Sequence, residues 1–471
     1  MSLPGMLRRR AEGLLFFGVI LALLPALMAF AVCGFVRDPA ACAAGLRRIA
    51  ARWGRFLLRG LAPVREVWWT LFQFEPASSL WRHVLLLEVF ELSALSARRR
   101  AAAAGIDPTA RVLVVNLAHI GDLLHTMPLV RSLRRQRPEA TIDLLVGPWC
   151  AELARRIPGV GSVLVYRPGL LAMQRDSTPR VCDIWRDIRQ LASWRRRDYD
   201  VILSASNTRI PDLVLWSALR PRLWIGVESA ARSLYTLGPA ACARYDSRVY
   251  EAARVNALLS LAGLEPGDPT LSFPVSPQEL EFADQRLGPD STSEPARPIA
   301  VLAPGGGWPG KCWPPDRFAA VGRWLALDKG FRVCLVGSRA ERSLCEEVLR
   351  AMHAPADNLA GETTLPELAA VLTRARLFVG NDSGPLHFAV ATGIPAVALF
   401  GPTRPAQWMP GRGCQVALQS DYPCEGCIPW HVRAQCLHDR ECMKRISVEQ
   451  VQGAIQSLLT TESPQTTGTI R

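Results

Sequence analysis

Several signatures that a basic chain of this size could carry are missing. The net charge is +13 and arginine dominates it. No zinc-finger spacing, RNA-recognition aromatic pattern or basic coiled coil accompanies that charge, so a nucleic-acid module is a weak reading. No G-x-G-x-x-G opens the first helix, which argues against a nicotinamide dehydrogenase. No Asp-x-Asp stands at a strand end to hold a divalent metal. The glycine-rich turn Gly305-Gly306-Gly307-Trp308-Pro309-Gly310-Lys311-Cys312 is not a P-loop, because Cys312 replaces the hydroxyl residue. The thirteen cysteines are scattered apart from Cys424, Cys427, Cys436 and Cys442. Their last pair is too widely spaced for a regular zinc ribbon, and a cytoplasmic setting would keep them as thiols.

Long apolar runs are also scarce. One exists, Gly13 to Val36, with no charged residue across 24 positions. A helix of that length crosses a hydrocarbon core of about 30 Å. A secretory signal peptide would be shorter and would end at a cleavage site, so a retained anchor is expected. Arg8 to Arg10 precede the run; Arg37, Arg47, Arg48, Arg52, Arg55 and Arg59 follow it. The positive-inside rule then leans towards a cytoplasmic C-terminal bulk. Residues 40 to 100 mix arginine with Trp53, Trp68, Trp69 and Trp81, which suits helices lying in a membrane interface or a helical linker.

From residue 111 the pattern changes. Short β-branched runs (Val112 to Val115, Ile142 to Val146, Val163 to Tyr166, Val201 to Ser204) alternate with amphipathic segments such as Gly121 to Gln136. After a stretch rich in Gly, Pro and Ser near 265 to 298, the alternation restarts at Ile299 to Ala303 and runs to Ala396 to Leu399. Such alternation predicts parallel sheets covered by helices on both faces. The expected division is an N-terminal extension over 1–106, α/β domains over 107–280 and 281–459, and a disordered tail over 460–471. Ligands of such sheets bind beyond the carboxyl ends of the strands, so two such edges can face one another across a cleft.

Three turns carry candidate chemistry. In Asn116-Leu117-Ala118-His119-Ile120-Gly121-Asp122, Gly121 permits a tight strand-to-helix turn. Asp122 at the helix start either caps the helix or accepts a proton from a hydroxyl group. The helix N-terminus is expected to hold its pKa down, making it a firm anion but a weak base. Gly305, Gly306 and Gly307 allow close backbone approach to a ligand, and Lys311 adds a cation. In Gly380-Asn381-Asp382-Ser383-Gly384-Pro385, a strand runs into an open helix N-terminus, a favourable place for a diphosphate; the plainer alternative is a βαβ unit with Asp382 as cap.

The segments VLVVNLAHIGDLLHTMPLVRSLR, APGGGWPGKCWPPDRFAAV and VGNDSGPLHFAVATGIPAVALFGPTRPAQW resemble the heptosyltransferases of glycosyltransferase family 9, over residues 111 to 455. Members of that family add heptose from ADP-heptose to the lipopolysaccharide inner core. The resemblance implies a GT-B fold, an α/β architecture with two Rossmann-like domains facing across a cleft, the first binding acceptor and the second donor. It places Asp122 on the general base and Lys311 on the lysine that neutralises the leaving diphosphate. Asp382, Ser383, Gly384 and His387 fall on the donor-binding D-[ST]-G-x-x-H turn, with Gly305 and Gly306 in the donor loop. Glu341 is a looser match to the acid that holds the nucleoside. Inversion without a metal or other cofactor is also implied, with a nucleotide sugar, a lipid-linked or lipopolysaccharide-core acceptor and the membrane as partners. A GT-B nucleotide-sugar epimerase and a non-catalytic saccharide-binding protein are the alternatives. The resemblance does not cover the N-terminal extension, and it assigns no role to Asn207-Thr208-Arg209.

Overall fold

A computed structural model describes residues 105–166, 181–205, 221–228, 241–244, 246–288, 296–410, 414–422 and 438–461, with Leu215, Ala218, Leu219 and Cys436 between them. The apolar run Gly13 to Val36, the basic Trp-bearing stretch, Asn207-Thr208-Arg209, Cys424 and Cys427 lie outside the described residues. No helix among the described residues is long and apolar enough to cross a membrane.

The first domain is built on strands β1 (Arg111–Asn116), β2 (Thr141–Val146), β3 (Val163–Val165), β4 (Val201–Ser204), β5 (Leu223–Glu228) and β6 (Ala241–Arg244). All pairings are parallel and the order is β3-β2-β1-β4-β5-β6. β1 sits centrally because Val112, Leu113, Val114 and Val115 need cover on both faces, and all four are fully buried. Helix α1 (Ile120–Gln136) follows β1, and α2 (Val181–Arg195) precedes β4. Leu123, Leu124, Met127, Val130 and Leu133 of α1 all turn into the core, as their helical spacing predicts. A short helix, α3 (Glu251–Asn256), packs on α1.

The stretch expected to be a linker holds a helix instead. α4 (Pro277–Leu287) starts with a capping box: Ser276 Oγ accepts from the Glu279 N–H, and Glu279 Oε2 accepts from the Ser276 N–H at 2.6 Å. It leans on both domains, through Arg156 Nη2 to Glu279 Oε2 at 3.0 Å and through Arg374 paired with Asp284 at 2.7 Å.

The second domain repeats the winding. Its elements are β7 (Ile299–Ala303), α5 (Pro315–Leu327), β8 (Arg332–Leu335), α6 (Arg342–Met352), β9 (Ala356–Asn358), α7 (Leu365–Arg374), β10 (Leu377–Asn381), α8 (Gly384–Thr392), β11 (Ala396–Phe400), α9 (Pro405–Trp408), β12 (Gln415–Gln419) and α10 (Val448–Thr461). The parallel order is β12-β11-β10-β7-β8-β9. α10 continues through Thr460 and Thr461, which the sequence reading had placed in the tail.

In both sheets the order reverses beside the first strand of the domain, between β1 and β4 and between β7 and β10. Such switch points open a crevice at the carboxyl ends, where ligands of this architecture bind. The turns after β1, β7 and β10 therefore lie where a site is expected. One apolar core cluster includes Leu123, Leu124 and Val130 of α1 and Leu386, Phe388 and Val390 of α8, so the domains meet through packed side chains. The arrangement is α/β with two parallel sheets, of the GT-B kind.

Candidate active site

The turn after β1 is fixed from beneath. Asn116, fully buried, donates through Nδ2 to Thr126 Oγ1 at 2.7 Å and accepts from the Ala118 N–H at 3.1 Å. Trp149 Nε1 donates to the Ala118 carbonyl at 2.7 Å. These bonds present Asp122 on the first turn of α1. Its Oδ2 accepts from the His119 N–H at 3.0 Å, so Asp122 does cap the helix. Although Asp122 is only half-buried, the protein packed around it pushes its carboxyl up from the ordinary value, and the negative charge of Glu251 adds to the rise. His119 and His125 pull the other way and are outweighed. The expectation of a depressed pKa is thus corrected: cover from surrounding protein removes more hydration than the helix N-terminus returns. A carboxylate so raised is a better proton acceptor.

Lys311, one of three lysines among 55 basic side chains, ends the glycine-rich turn after β7. Its Nζ donates to Asp382 Oδ2 at 2.6 Å and lies 3.2 Å from the Asp382 carbonyl oxygen. Thr403 Oγ1 donates to the same carboxylate at 2.6 Å, and His387 Nε2 stands 3.7 Å from its other oxygen. Burial works against ionisation of Asp382, but Lys311, His387 and the hydrogen bonds prevail and hold its pKa below the carboxylate range. Asp382 is 2% exposed. It therefore anchors Lys311 from behind and offers little surface to a ligand. An ammonium has three donors, which leaves Lys311 able to meet an anion in the cleft.

Ser383 and Gly384 open α8 and are partly exposed. A Cβ built on Gly384 meets nothing within 4 Å, so open space borders the helix N-terminus. Gly305 is packed against the Glu341 carboxylate, which a side chain there would displace. Glu341 Oε2 accepts from the N–H and the hydroxyl of Ser338, each at 2.7 Å. Gly306 lies against Cys312, whose Sγ would be 3.2 Å from an added Cβ. The structure thus gathers Lys311, Asp382 and His387 into one cluster and sets Glu341 with Gly305 on the β8 side of the loop.

Across the cleft the two turns touch. A Cβ on Gly121 would lie 2.8 Å from His387 Nε2. The His125 and His387 rings are 4.8 Å apart and edge-on, with Trp408 5.5 Å from His125 and 5.9 Å from His387. His125 Nδ1 is 2.7 Å from the Gly121 carbonyl, which accepts its proton and leaves Nε2 bare. His387 is driven down to about 3 by burial, with His125 adding to the effect, so both rings are neutral at pH 7.

Several members of this neighbourhood had no role in the sequence reading. Asn381 ties the loops together: Nδ2 donates to the Pro304 and Gly305 carbonyls at 2.9 and 3.0 Å, and Oδ1 accepts from the Trp313 N–H at 3.0 Å. Thr403, His125, Glu251 and Gln407 are the others. A polar residue ending a buried apolar strand is a usable signal for Asn381. Nothing in the local pattern marks Thr403 or Gln407, because their partners Asp382 and Glu251 are 21 and 156 residues away.

The sequence pattern of glycosyltransferase family 9 (heptosyltransferase) matches residues 188–438. Lipopolysaccharide heptosyltransferase 2 of Salmonella typhimurium is 28% identical over 302 residues, covering 63% of this chain and 84% of that protein. The E. coli ADP-heptose lipopolysaccharide heptosyltransferase II structure has a TM-score of 0.57 at 22% identity, over 75% of this chain and all of that one. A family 9 glycosyltransferase from Veillonella parvula gives 0.59 at 21% identity, over 75% and 98%. The matched pattern spans more than half of the chain, and the chain belongs to glycosyltransferase family 9, the heptosyltransferase family.

Proposed function

We propose that this enzyme moves heptose from ADP-heptose to a lipopolysaccharide-core acceptor, with inversion and without a metal. The observation that carries this reading is the meeting of the Asp122 turn with the Lys311–Asp382–His387 cluster at facing sheet edges. The similarity to lipopolysaccharide heptosyltransferases, one of them an ADP-heptose enzyme, supports the choice of sugar and acceptor class.

Asp122 takes the proton of an acceptor hydroxyl as its oxygen forms a bond to the anomeric carbon. The bond from that carbon to the diphosphate breaks on the opposite side, and its electron pair leaves with ADP. Attack opposite the leaving group inverts the centre. Lys311 and the N-terminus of α8 stabilise the charge growing on the diphosphate, the part a divalent ion plays in other transferases. Glu341, beside Gly305, suits the hydroxyls of the nucleoside ribose. The family assignment speaks against the epimerase and binding-only readings.

The apolar run Gly13 to Val36 and the arginines flanking it support an anchor in the bacterial inner membrane, with both wound domains on the cytoplasmic side. A panel of nucleotide sugars, assayed for nucleotide release with and without lipopolysaccharide core stripped of heptose, tests the reading. Acceptor-dependent ADP release from ADP-heptose in the presence of EDTA is expected. Release from another nucleotide sugar alone would replace the donor, and a strict metal requirement would overturn the mechanism.

A further inference from the structure

Glu251 belongs to none of the three turns, yet the Tyr250 ring just before it stands edge-on to His125 of α1 at 5.5 Å. Glu251 is 4% exposed, at the start of α3, which packs on α1. Arg254, equally buried, grips its carboxylate through Nε to Oε2 at 3.0 Å and through Nη2 to Oε1. Gln407 of the second domain reaches across and donates from Nε2 to Glu251 Oε2 at 3.2 Å. The Glu251 charge acts on both Asp122 and His125.

Burying a carboxylate is costly, and holding it there with an equally buried arginine is no gain in stability over a packed apolar pair. Such a pair at a domain junction, beside a residue whose proton affinity matters, has a clearer use as part of the site. We infer that Glu251 is a positioning residue of the transfer reaction: it sets the charge around Asp122 and, through Gln407, ties that setting to the seating of the donor domain. This rests on the reading of Asp122 as the base. When the domains part, the Gln407 bond is lost and the Glu251 carboxylate gains water. Its field at Asp122 weakens, so full proton affinity belongs to the closed enzyme.

The groups facing Asp122 are few. His119 and His125 stand on its own helix and turn, Glu251 comes from α3, and the Cys150 thiol, pushed up to about 12 by burial with Asp122 contributing, comes from the turn after β2. From the second domain, the Asp382 charge reaches His125. Glu251 is the acidic neighbour among these that acts directly on Asp122.

The test is the pH profile of kcat/KM under acceptor-limited conditions for the full chain and for Glu251→Gln, Glu251→Gln/Arg254→Gln, Gln407→Leu and Asp122→Asn. Removing a negative neighbour lowers the proton affinity of the base. The acid-side midpoint should therefore move down by about half to one pH unit in Glu251→Gln, and in the same direction in the double variant. Gln407→Leu should move it partway and lower kcat/KM about three- to tenfold. The double variant leaves no unpaired arginine, so it carries the test if the single one does not fold. An acid-side midpoint that stays in place in a folded Glu251 variant, while Asp122→Asn is inactive, overturns this inference alone. An active Asp122→Asn enzyme overturns the base reading, and this inference with it.

Discussion

Gly121 of α1 and His387 of α8 touch across the cleft so closely that a methyl group on Gly121 would lie 2.8 Å from His387 Nε2 and nearer still to Cδ2. The residue before the proposed base is thus shaped to receive a side chain of the other domain. Gly121→Ala should keep each domain folded and hold the two turns apart. A misplacement of about 1 Å can cost about 100-fold in rate, so a 10- to 100-fold loss of kcat/KM is expected with an unchanged circular dichroism spectrum. Wild-type turnover in that variant would mean that the contact is not made during transfer.

The Lys311–Asp382 pair gives a second expectation. Lys311→Ala leaves a buried carboxylate without its counter-ion, a change that typically costs about 3–5 kcal/mol. It should lower kcat and raise KM for the donor together, since the cation meets the diphosphate both before and during departure. Thr403→Val removes one hydrogen bond to the same carboxylate and should cost only about 1–3 kcal/mol. Urea unfolding and steady-state kinetics read both effects. Equal losses in the two variants would contradict the order.

Stability should also fall on mild acidification. His387 is held neutral down to about 3, and His125 is lowered too, from an ordinary value of 6.5. Below about 6.5 the unfolded chain takes up protons that the folded chain refuses. Each such histidine then costs up to about 1.4 kcal/mol per pH unit. Asp122, raised from 3.8, works the other way and offsets part of this as it protonates in the folded state. Asp382, held down, loses its contribution only below 3.8, as pH falls towards its own folded value. The net expectation is a loss of about 1–3 kcal/mol between pH 6.5 and 5. Urea titrations at the two pH values measure it, and His387→Gln should flatten the slope. A stability independent of pH over that range would show the imidazoles to be hydrated.

The central strands and the three turns were legible in the sequence because each is a local pattern. Val112 to Val115, Ile299 to Ala303 and Leu377 to Val379 are apolar runs, and the switch-point turns follow them directly. The edge strand β3 was legible too, but β9 and β12 were not. β9 is Ala-Asp-Asn and half-buried, and β12 has glutamine at both ends, so neither carries a strand's apolar signature. α4 went unread for a different reason. Its Ser-Pro-Gln-Glu start is a regular helix signal, but it lay inside a stretch whose Gly, Pro and Ser content suggested a linker. Lys311, Asp382 and His387 were each named from the sequence, yet the near-complete burial of Asp382 behind Lys311 comes from packing with Thr403 and His387. The raised proton affinity of Asp122 comes first from burial, with Glu251, 129 residues away in the chain, adding to it.

Membrane attachment is a separable expectation. If Gly13 to Val36 spans the bilayer, carbonate and high salt should leave the full chain in the membrane fraction, since a spanning helix does not dissociate as a surface helix does. A chain starting at Asp107 should be soluble and should still bind ADP-heptose. Release of the full chain by high salt would make the extension peripheral.

The most direct test of the account is transfer by Asp122→Asn measured beside its donor affinity. The amide keeps the shape and the bond from the His119 N–H while removing the proton acceptor. The account predicts donor binding within about twofold of wild type and transfer slower by about 10²–10⁴-fold, the usual worth of a general base. Single-turnover transfer from ADP-heptose at saturating acceptor gives the rate, and titration with ADP gives the affinity. Near-wild-type transfer, or a loss confined to donor binding, would contradict it.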